Sequence, residues 1–431
     1  MVLWGGRVLD PQRFERAVFG LARRHGDLLA PWLIFALTLV FFVWRLDVID
    51  GLIFDESYYV PAGIDLFSLE RNSNPQHPPF AKWLIGLGAH IFGDGPFGWR
   101  IAGAVLGAAT VACVFAATRM LGFSRAAATL ATCLTLFNNT VYVQARTAML
   151  DIHMVGLLAL SLTTLIWSAD AERSRPSAFC GLAIAGVLAG LSASSKWVGG
   201  VNFLLVLAGL CIWRTIERAD AIPIVDRFLA SGFKAWPSLS LASVIGILGG
   251  ASLCAYIVTF APFPYLDHHA VAWSGILELQ GRIYEASAGP MGYHQNLSPW
   301  WEWPFVIEPI WYYFQGDQNV ARAQFYVGNL VVYWVGFAAV WLCLVHGLTN
   351  RDGAMLAIAA AFLAFWLVWA IIPKQAGWIY YYAPASVLLG PAIAASIERI
   401  APHRWRKPLA TCAAVGTIGI FAFFFPVLTG Q

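Results

Sequence analysis

The chain alternates between long apolar runs and short polar loops. About eleven runs approach the roughly 20 residues that a helix needs to cross a hydrocarbon core. Because each backbone polar group in lipid must be satisfied within its own helix, this pattern predicts an all-α integral membrane protein, a polytopic helical bundle. The predicted spans lie at residues 31–44, 97–120, 124–141, 152–168, 177–194, 198–213, 238–260, 324–346, 354–372, 378–397 and 409–426.

The charges between the runs alternate in sign. Residues 1–30 form an Arg-rich arm that we expect to be amphipathic and cytoplasmic, whereas loops 46–96 and 261–323 are rich in acids. Basic loops stay on the inner side, so this pattern predicts the N-terminus inside, both acidic loops outside and the C-terminus outside. Residues 31–428 then form a single transmembrane domain, with the apolar piece 82–93 lying against the outer interface.

The composition supports the same class. Of the 431 residues, 59% are hydrophobic and 12% are charged, whereas soluble domains carry roughly 25% charged residues. The 20 Trp and 14 Tyr suit wide interfacial belts. A net charge of +3 gives no reason to expect a nucleic-acid partner, and the seven cysteines lie in apolar segments without metal-like spacing.

Several ionisable residues fall where helices meet the outer loops. A charge at mid-membrane costs roughly 2.5–3.5 kcal/mol on insertion scales, so charges kept near helix ends tend to line a cavity or find partners. Each one alone could be an interfacial anchor. Together they predict an outer cavity in which four cations (Arg100, Arg146, Lys196 and Lys374) cradle a phosphate beside a carboxylate pair. The full set is Asp55, Glu56, His77, Lys82, Arg100, Arg146, Asp151, Lys196 and Lys374.

The carboxylate pair is Asp55-Glu56, which stands among apolar and aromatic residues. Neighbouring side chains on a helix or turn diverge, so one carboxylate can act as general base while the other orients a cation or a donor. The alternative is an ordinary acidic loop. His77 stands before two prolines, a position more typical of a local anchor. No cluster resembles a metal site, since Asp55-Glu56 lacks a third ligand, so no obligatory metal is predicted.

An ordered series of motifs resembles the protein O-mannosyltransferases, polytopic enzymes of the class C glycosyltransferase fold. The resemblance covers about residues 35–395 in the right order. The motifs are Phe54-Asp55-Glu56, His77-Pro78-Pro79 with Lys82, Phe97-Gly98-Trp99-Arg100, Val143-Gln144-Ala145-Arg146 leading to Leu150-Asp151, Ser194-Ser195-Lys196-Trp197-Val198-Gly199, Pro299-Trp300-Trp301-Glu302-Trp303-Pro304, Pro309-Ile310-Trp311-Tyr312-Tyr313 and Tyr380-Tyr381-Tyr382-Ala383-Pro384.

The resemblance implies transfer of a sugar, normally mannose, from a polyprenyl phosphate carrier to Ser or Thr hydroxyls of an exported protein, with inversion. It implies that Asp55 is the catalytic base and that Glu56 orients the acceptor or a cation. The residues implied to bind the donor phosphate and sugar are Arg100, Gln144, Arg146 and Lys196. The residues implied to support the site or hold the acceptor are His77, Asp151, Trp300, Trp303 and Tyr382.

The compact chain resembles a bacterial form of the family, for which we expect the inner membrane with the site facing the exterior. Glu308 departs from the family pattern, which suggests an arginine there. Two alternatives stay open: a transferase acting on a lipid or envelope glycan, and a non-catalytic accessory or transport protein. The first would need a groove for a second lipid. The expected partners are the bilayer, the lipid-linked sugar and an exported acceptor protein, and a second membrane protein is allowed.

Overall fold

The structure is a computed structural model. It describes residues 3–4, 7–8, 29–170, 172–217, 228–229, 231, 235–288, 296–316, 321–372 and 377–430. Most of the Arg-rich arm, and Lys374, lie outside the described residues. Within the arm, β1 (Leu3–Trp4) pairs antiparallel with β2 (Arg7–Val8).

Helices make up most of the described chain. Those before the second acidic loop are α1 (Leu29–Val43), α2 (Glu56–Phe67), α3 (Phe80–Phe92), α4 (Pro96–Met120), α5 (Arg125–Leu136), α6 (Asn139–Ala145), α7 (Leu150–Ser168), α8 (Arg175–Ser195), α9 (Trp197–Glu217) and α10 (Leu241–Val258). Those that follow are α11 (Ile276–Ala288), α12 (Gly336–Asn350), α13 (Gly353–Leu367), α14 (Ala383–Ser386), α15 (Leu389–Arg399) and α16 (His403–Thr429).

Eight of the described helical segments are long and apolar enough to cross a membrane. They are α4, α7, α8, α9, α16, α10 with its extension (Leu241–Tyr265), α12 with the turn before it (Val331–Asn350) and α13 with the turn after it (Gly353–Ala370). The prediction of a polytopic, helical integral membrane protein is confirmed. The count of eleven spans and the orientation of the termini stay predictions.

Three of the predicted spans are not single helices. The run 124–141 is interrupted at Phe137 and Asn138, where Asn138 is extended and begins α6. The run 378–397 is divided into a 3₁₀ turn, α14 and α15. The run 324–346 begins in a strand, and its helical part starts only at Val331. Apolar content alone does not separate these segments from a continuous span, because asparagines, prolines and strand pairing decide the local backbone.

The second acidic loop, 261–323, contains a β-hairpin that was not predicted from the sequence. Strand β3 (Ile310–Gly316) pairs antiparallel with β4 (Ala321–Tyr326), with an irregularity between Trp311 and Tyr313. The side chains alternate across the strand, so Tyr312 is buried while Trp311 is half exposed. The Gln324 amide donates to the carbonyl of Leu428, which docks the hairpin on the end of α16.

The bundle has two polar ends. At one end, Arg399 and Asp352 form an ion pair of 3.6 Å, and the backbone N–H of Ser124 donates to the carboxylate of Glu398. The other end collects the segment before α2, the junction between α6 and α7, the junction between α8 and α9, and the 3₁₀ turn Ile379–Tyr382. The candidate site lies at this second end.

Candidate active site

Asp55 stands immediately before α2 and is held through its neighbour Phe54. Phe54 has a φ of 48°, in the left-handed region that bulky residues rarely adopt. Its ring stacks on Tyr312 of β3 at 4.9 Å with 7° between the planes, and it meets Tyr380 edge to face at 6.2 Å. Two distant parts of the chain therefore fix the backbone from which Asp55 projects.

The Asp55 side chain is half-buried and accepts a hydrogen bond from Tyr59. The Tyr59 hydroxyl donates to Oδ2 over 3.2 Å, and hydrogen bonding by the Tyr380 side chain lowers the pKa of the carboxyl group. Burial raises the pKa of Asp55 to about 6, Lys196 opposes that rise, and the charge of Asp151 adds to it. A carboxylate with such a pKa is suited to accept a hydroxyl proton as general base near neutral pH.

Lys196 is a buried cation beside this carboxylate. It lies between α8 and α9, and its Nζ is 2.8 Å from both carboxylate oxygens of Asp151, at the start of α7. The same Nζ lies 4.9 Å from the ring centre of Tyr380 and 4.8 Å from that of Tyr381. The predicted residues Asp55, Asp151 and Lys196 are thus brought together, with two tyrosine rings against the ammonium group.

The second carboxylate of the pair, Glu56, turns away from Asp55 and binds Arg100. It is fully buried, and it also accepts hydrogen bonds from the backbone N–H groups of Ile53 and Ala148. The divergence predicted for neighbouring side chains is therefore present, with Glu56 orienting a cation.

Arg100 uses all five of its N–H groups on protein acceptors. Two go to Glu56, and three go to the backbone carbonyls of Leu46, Ile49 and Gly51. In this structure Arg100 has no N–H left for a donor phosphate, contrary to the predicted cradle. It instead fixes the loop that carries Asp55.

Arg146 caps the C-terminal end of α1. Its guanidinium donates to the carbonyls of Phe42, Trp44 and Arg45 over 2.6–2.7 Å. The last carbonyls of a helix have no partner within the helix, so a buried guanidinium is a suitable cap. These contacts also differ from the predicted phosphate cradle. Burial lowers the pKa of Arg146.

Gln144 lies behind Tyr312. Its amide donates to the Tyr312 hydroxyl over 2.9 Å, and the Tyr312 ring stacks on Tyr326 at 5.1 Å. Gln144 therefore supports the ring on which Phe54 rests. This is a less direct place than the donor-binding one expected from the sequence.

His77 lies in the turn between α2 and α3, and Lys82 lies in the first turn of α3. The fully buried Nζ of Lys82 donates to Asn72 and to the carbonyls of Asn74 and His77, which holds this turn together. The His77 ring meets the ring of Tyr59 edge to face at 5.8 Å. His77 thus contacts a tyrosine that binds Asp55, as a supporting residue would.

The predicted aromatic residues separate into two groups. Trp303 is buried, donates to Ser298 and meets Tyr381 edge to face at 6.1 Å. Trp300 packs on Trp366 instead, at 5.3 Å.

Tyr382 packs against Tyr333 and Phe362, and its hydroxyl has no hydrogen-bond partner among the described residues. Successive side chains on a 3₁₀ turn point about 120° apart. Tyr380 and Tyr381 therefore face the charged cluster while Tyr382 faces the core.

Four further site residues were not predicted from the sequence: Tyr59, Tyr312, Tyr380 and Tyr381. Tyr59 follows Asp55 by four residues, the spacing of one helical turn, and this was the available signal. Glu308 is half-buried and makes no ion pair with a described residue. Within the described part of the chain, no group of three or more His, Cys, Asp or Glu could hold a metal ion.

Comparisons with known proteins agree with the motifs. Residues 94–245 match the family model described as dolichyl-phosphate-mannose-protein mannosyltransferase. The chain is 25% identical over 454 residues to the polyprenol-phosphate-mannose–protein mannosyltransferase of Mycobacterium tuberculosis, covering 88% of this chain and 83% of that protein. It is 26% identical over 398 residues to the protein of the same name in Corynebacterium glutamicum, covering 78% and 75%.

Solved structures share the fold. The Saccharomyces cerevisiae protein O-mannosyltransferase Pmt1–Pmt2 complex bound to the sugar donor has a TM-score of 0.78 and 13% identity, covering 94% of this chain and 90% of that one. ArnT of Cupriavidus metallidurans bound to undecaprenyl phosphate has a TM-score of 0.63 and 14% identity, covering 93% and 77%. The predicted class C glycosyltransferase-like fold is confirmed.

Proposed function

This membrane protein is related to the protein O-mannosyltransferases, and we propose that it moves mannose from a polyprenyl phosphate carrier to Ser or Thr hydroxyls of exported proteins. The observation that carries the proposal is the half-buried carboxylate of Asp55, with a pKa raised by burial to about 6, beside the cation Lys196. A base and a fixed cation are the two groups that such a transfer needs. The names of the relatives and the matched family model supply the sugar and the carrier.

The reaction is a displacement at the anomeric carbon of the sugar. The acceptor oxygen attacks that carbon while Asp55 takes the hydroxyl proton, and the bond between the carbon and the phosphate oxygen breaks on the opposite face. The electron pair of this bond stays on the polyprenyl phosphate, so the configuration inverts. Lys196, already buried against Asp151, offers positive charge to the departing phosphate.

The other predicted site residues hold the catalytic groups in place. Glu56, Arg100 and Arg146 fix the loop before α2, and Gln144 supports Tyr312 beneath Phe54. Trp303 backs Tyr381, and His77 backs Tyr59. Lys374 lies outside the described residues, and its place in the phosphate cradle stays a prediction.

The same proposal includes the membrane in which the protein lies and the side that its site faces. The protein is an inner membrane protein of a bacterium, and its site faces the exterior, where exported acceptor proteins are met. No metal is required by the proposed displacement. The structural neighbour from yeast is a complex of two chains, and a second membrane protein stays an allowed partner here.

The test uses membranes that contain the protein, a radiolabelled mannosyl-phosphoryl polyprenol and a Ser/Thr-rich acceptor peptide. Wild type, Asp55→Asn and Asp50→Asn are compared, because Asp50 is an exposed carboxylate in the same loop. We expect label in the peptide for wild type and Asp50→Asn, and a loss of roughly 10²-fold or more for Asp55→Asn.

Two results would redirect the proposal. Label that appears in lipid or glycan, with none in peptide, would identify the alternative transferase with another acceptor. Donor binding without transfer to any acceptor would identify an accessory protein.

A further inference from the structure

We propose that Tyr59 and Tyr380 are positioning residues that hold the Asp55 carboxylate, so that its remaining lone pairs face the acceptor hydroxyl. The proposal rests on the proposed function in one respect, the use of Asp55 as the base. It gives a role to two residues for which neither the sequence motifs nor the comparisons supply one.

Tyr59 is placed for this by α2 itself. It lies one helical turn after Asp55, is 4% exposed, and donates its hydroxyl to Oδ2 over 3.2 Å. Burial raises the pKa of Tyr59 well above its ordinary value, so the hydroxyl keeps its proton and donates it to the carboxylate. The His77 ring against Tyr59 limits the movement of the phenol.

Tyr380 reaches Asp55 from a distant part of the chain. Its ring lies over the Nζ of Lys196 at 4.9 Å, and hydrogen bonding by its side chain lowers the pKa of Asp55. The same ring meets Phe54 edge to face and stacks on Trp378 at 5.9 Å. One side chain therefore contacts both the base and the cation beside it, and its ring is fixed by two aromatic neighbours.

The Asp55 carboxylate has few lone-pair positions left for a further hydrogen bond. An ionised carboxylate offers about four lone-pair positions, and tyrosines from two separate elements occupy part of them. The titratable and charged groups that act on Asp55, or are acted on by it, in the described chain are Lys196, Asp151, Tyr59, Tyr312, Tyr380 and Tyr381. Of these, Tyr59 donates its hydroxyl to the carboxylate, and hydrogen bonding by the Tyr380 side chain also lowers the pKa of Asp55.

The test replaces each hydroxyl and keeps each ring, with Tyr59→Phe and Tyr380→Phe in the full chain. Tyr58→Phe is the control on α2, because Tyr58 is 64% exposed. Tyr382→Phe is the control on the 3₁₀ turn, because its hydroxyl has no hydrogen-bond partner among the described residues and its ring packs on Phe362 in the core. The first measurement is an infrared titration of the Asp55 carboxyl, assigned by difference from Asp55→Asn. The second is the pH profile of mannose transfer to peptide.

A hydrogen bond from a neutral hydroxyl to a charged carboxylate is worth roughly 1–2 pH units in the midpoint. We expect Tyr59→Phe and Tyr380→Phe to move the infrared midpoint and the acid limb of the pH profile upward by this amount. We also expect maximal turnover to fall about tenfold, because the carboxylate is no longer aimed. The two controls should leave the midpoint where it is in wild type.

Unchanged midpoints in both variants would overturn the proposal, whatever happened to the amount of folded protein. A shifted midpoint with undiminished maximal turnover would overturn the positioning part. The infrared titration does not need transfer, so it separates failure of this proposal from failure of the proposed function. In the latter case the midpoints shift while wild type transfers no mannose.

Discussion

Arg100 and Glu56 form a buried, two-pronged ion pair in which Nε and Nη2 each lie 2.9 Å from a different carboxylate oxygen. The exposed fractions of the two side chains are 1% and 0%. Because Arg100 also binds three carbonyls of the preceding loop, the pair connects α2 and α4 to the chain that delivers Asp55. Such a pair aligns the base without touching a substrate.

Replacing one member of the Arg100–Glu56 pair should destabilise the protein. We expect Arg100→Gln to lower the free energy of unfolding by about 3–5 kcal/mol, because Glu56 would be left as an unpaired buried charge. The check is thermal unfolding in detergent together with donor binding by the folded fraction. If Arg100 bound the donor phosphate, affinity would fall as well. Arg71→Gln is the control, since its ion pair with Asp65 is half exposed and such pairs contribute little.

Substitutions in the Lys196–Asp151 pair should abolish transfer as well as lower stability. Lys196→Met and Asp151→Asn should each destabilise the protein, by about 3–5 kcal/mol where a buried charge is left unpaired. The double variant should be less destabilised than the sum, because neither charge is then orphaned. Transfer should be lost in all three. Restored transfer in the double variant would show that Lys196 is not needed as a cation. The measurement is a double-mutant cycle with stability and activity recorded on the same samples.

The helical bundle and Asp55 were predictable because their signals are local. Apolar length marks a span wherever it occurs, and the acidic pair stands out among aromatic residues before α2. The strand β4 was not predictable in this way, because its last residues, Phe325 and Tyr326, fit the start of a span or a strand equally well. The interruption at Asn138 depends on one residue within an apolar run, so apolar length did not reveal it.

The partners of the arginines and tyrosines were beyond the sequence for a different reason. Arg100 and Arg146 bind backbone carbonyls, and a carbonyl carries no residue-specific signal. Tyr380 and Tyr382 are indistinguishable by type, and only the rotation of the 3₁₀ turn decides that Tyr380 faces Lys196 while Tyr382 faces Phe362. Chemistry could be assigned to the right region, but not to the right side chain within it.

The raised pKa of Asp55 predicts a cost in stability. In the folded protein the pKa is about 6 instead of 3.8, so the charged carboxylate is disfavoured by folding. Stability should therefore rise as the pH falls through the window from about 6 to 4, where the folded state binds the extra proton. Asp55→Asn removes this cost, and at pH 8 it should be more stable than wild type by about 2–3 kcal/mol. The difference should vanish near pH 4. The measurement is the free energy of unfolding of wild type and Asp55→Asn across this pH range, with Asp50→Asn as control. Equal stability of wild type and Asp55→Asn at pH 8 would contradict the burial of a charged Asp55.

Phe54 combines a left-handed backbone with close aromatic packing, and the two effects can be separated by substitution. Phe54→Ala loses the ring but keeps the unfavourable backbone, whereas Phe54→Gly loses the ring and accepts that backbone readily. We expect the glycine variant to be the more stable of the two by about 1 kcal/mol, the cost of a left-handed residue. Both should transfer mannose at least roughly tenfold more slowly, because Asp55 would no longer be aligned through the stack on Tyr312. Unfolding and transfer assays on both variants give the comparison. An alanine variant as stable as the glycine variant would show that the backbone at Phe54 is unstrained, and undiminished transfer would show that the stack does not align the base.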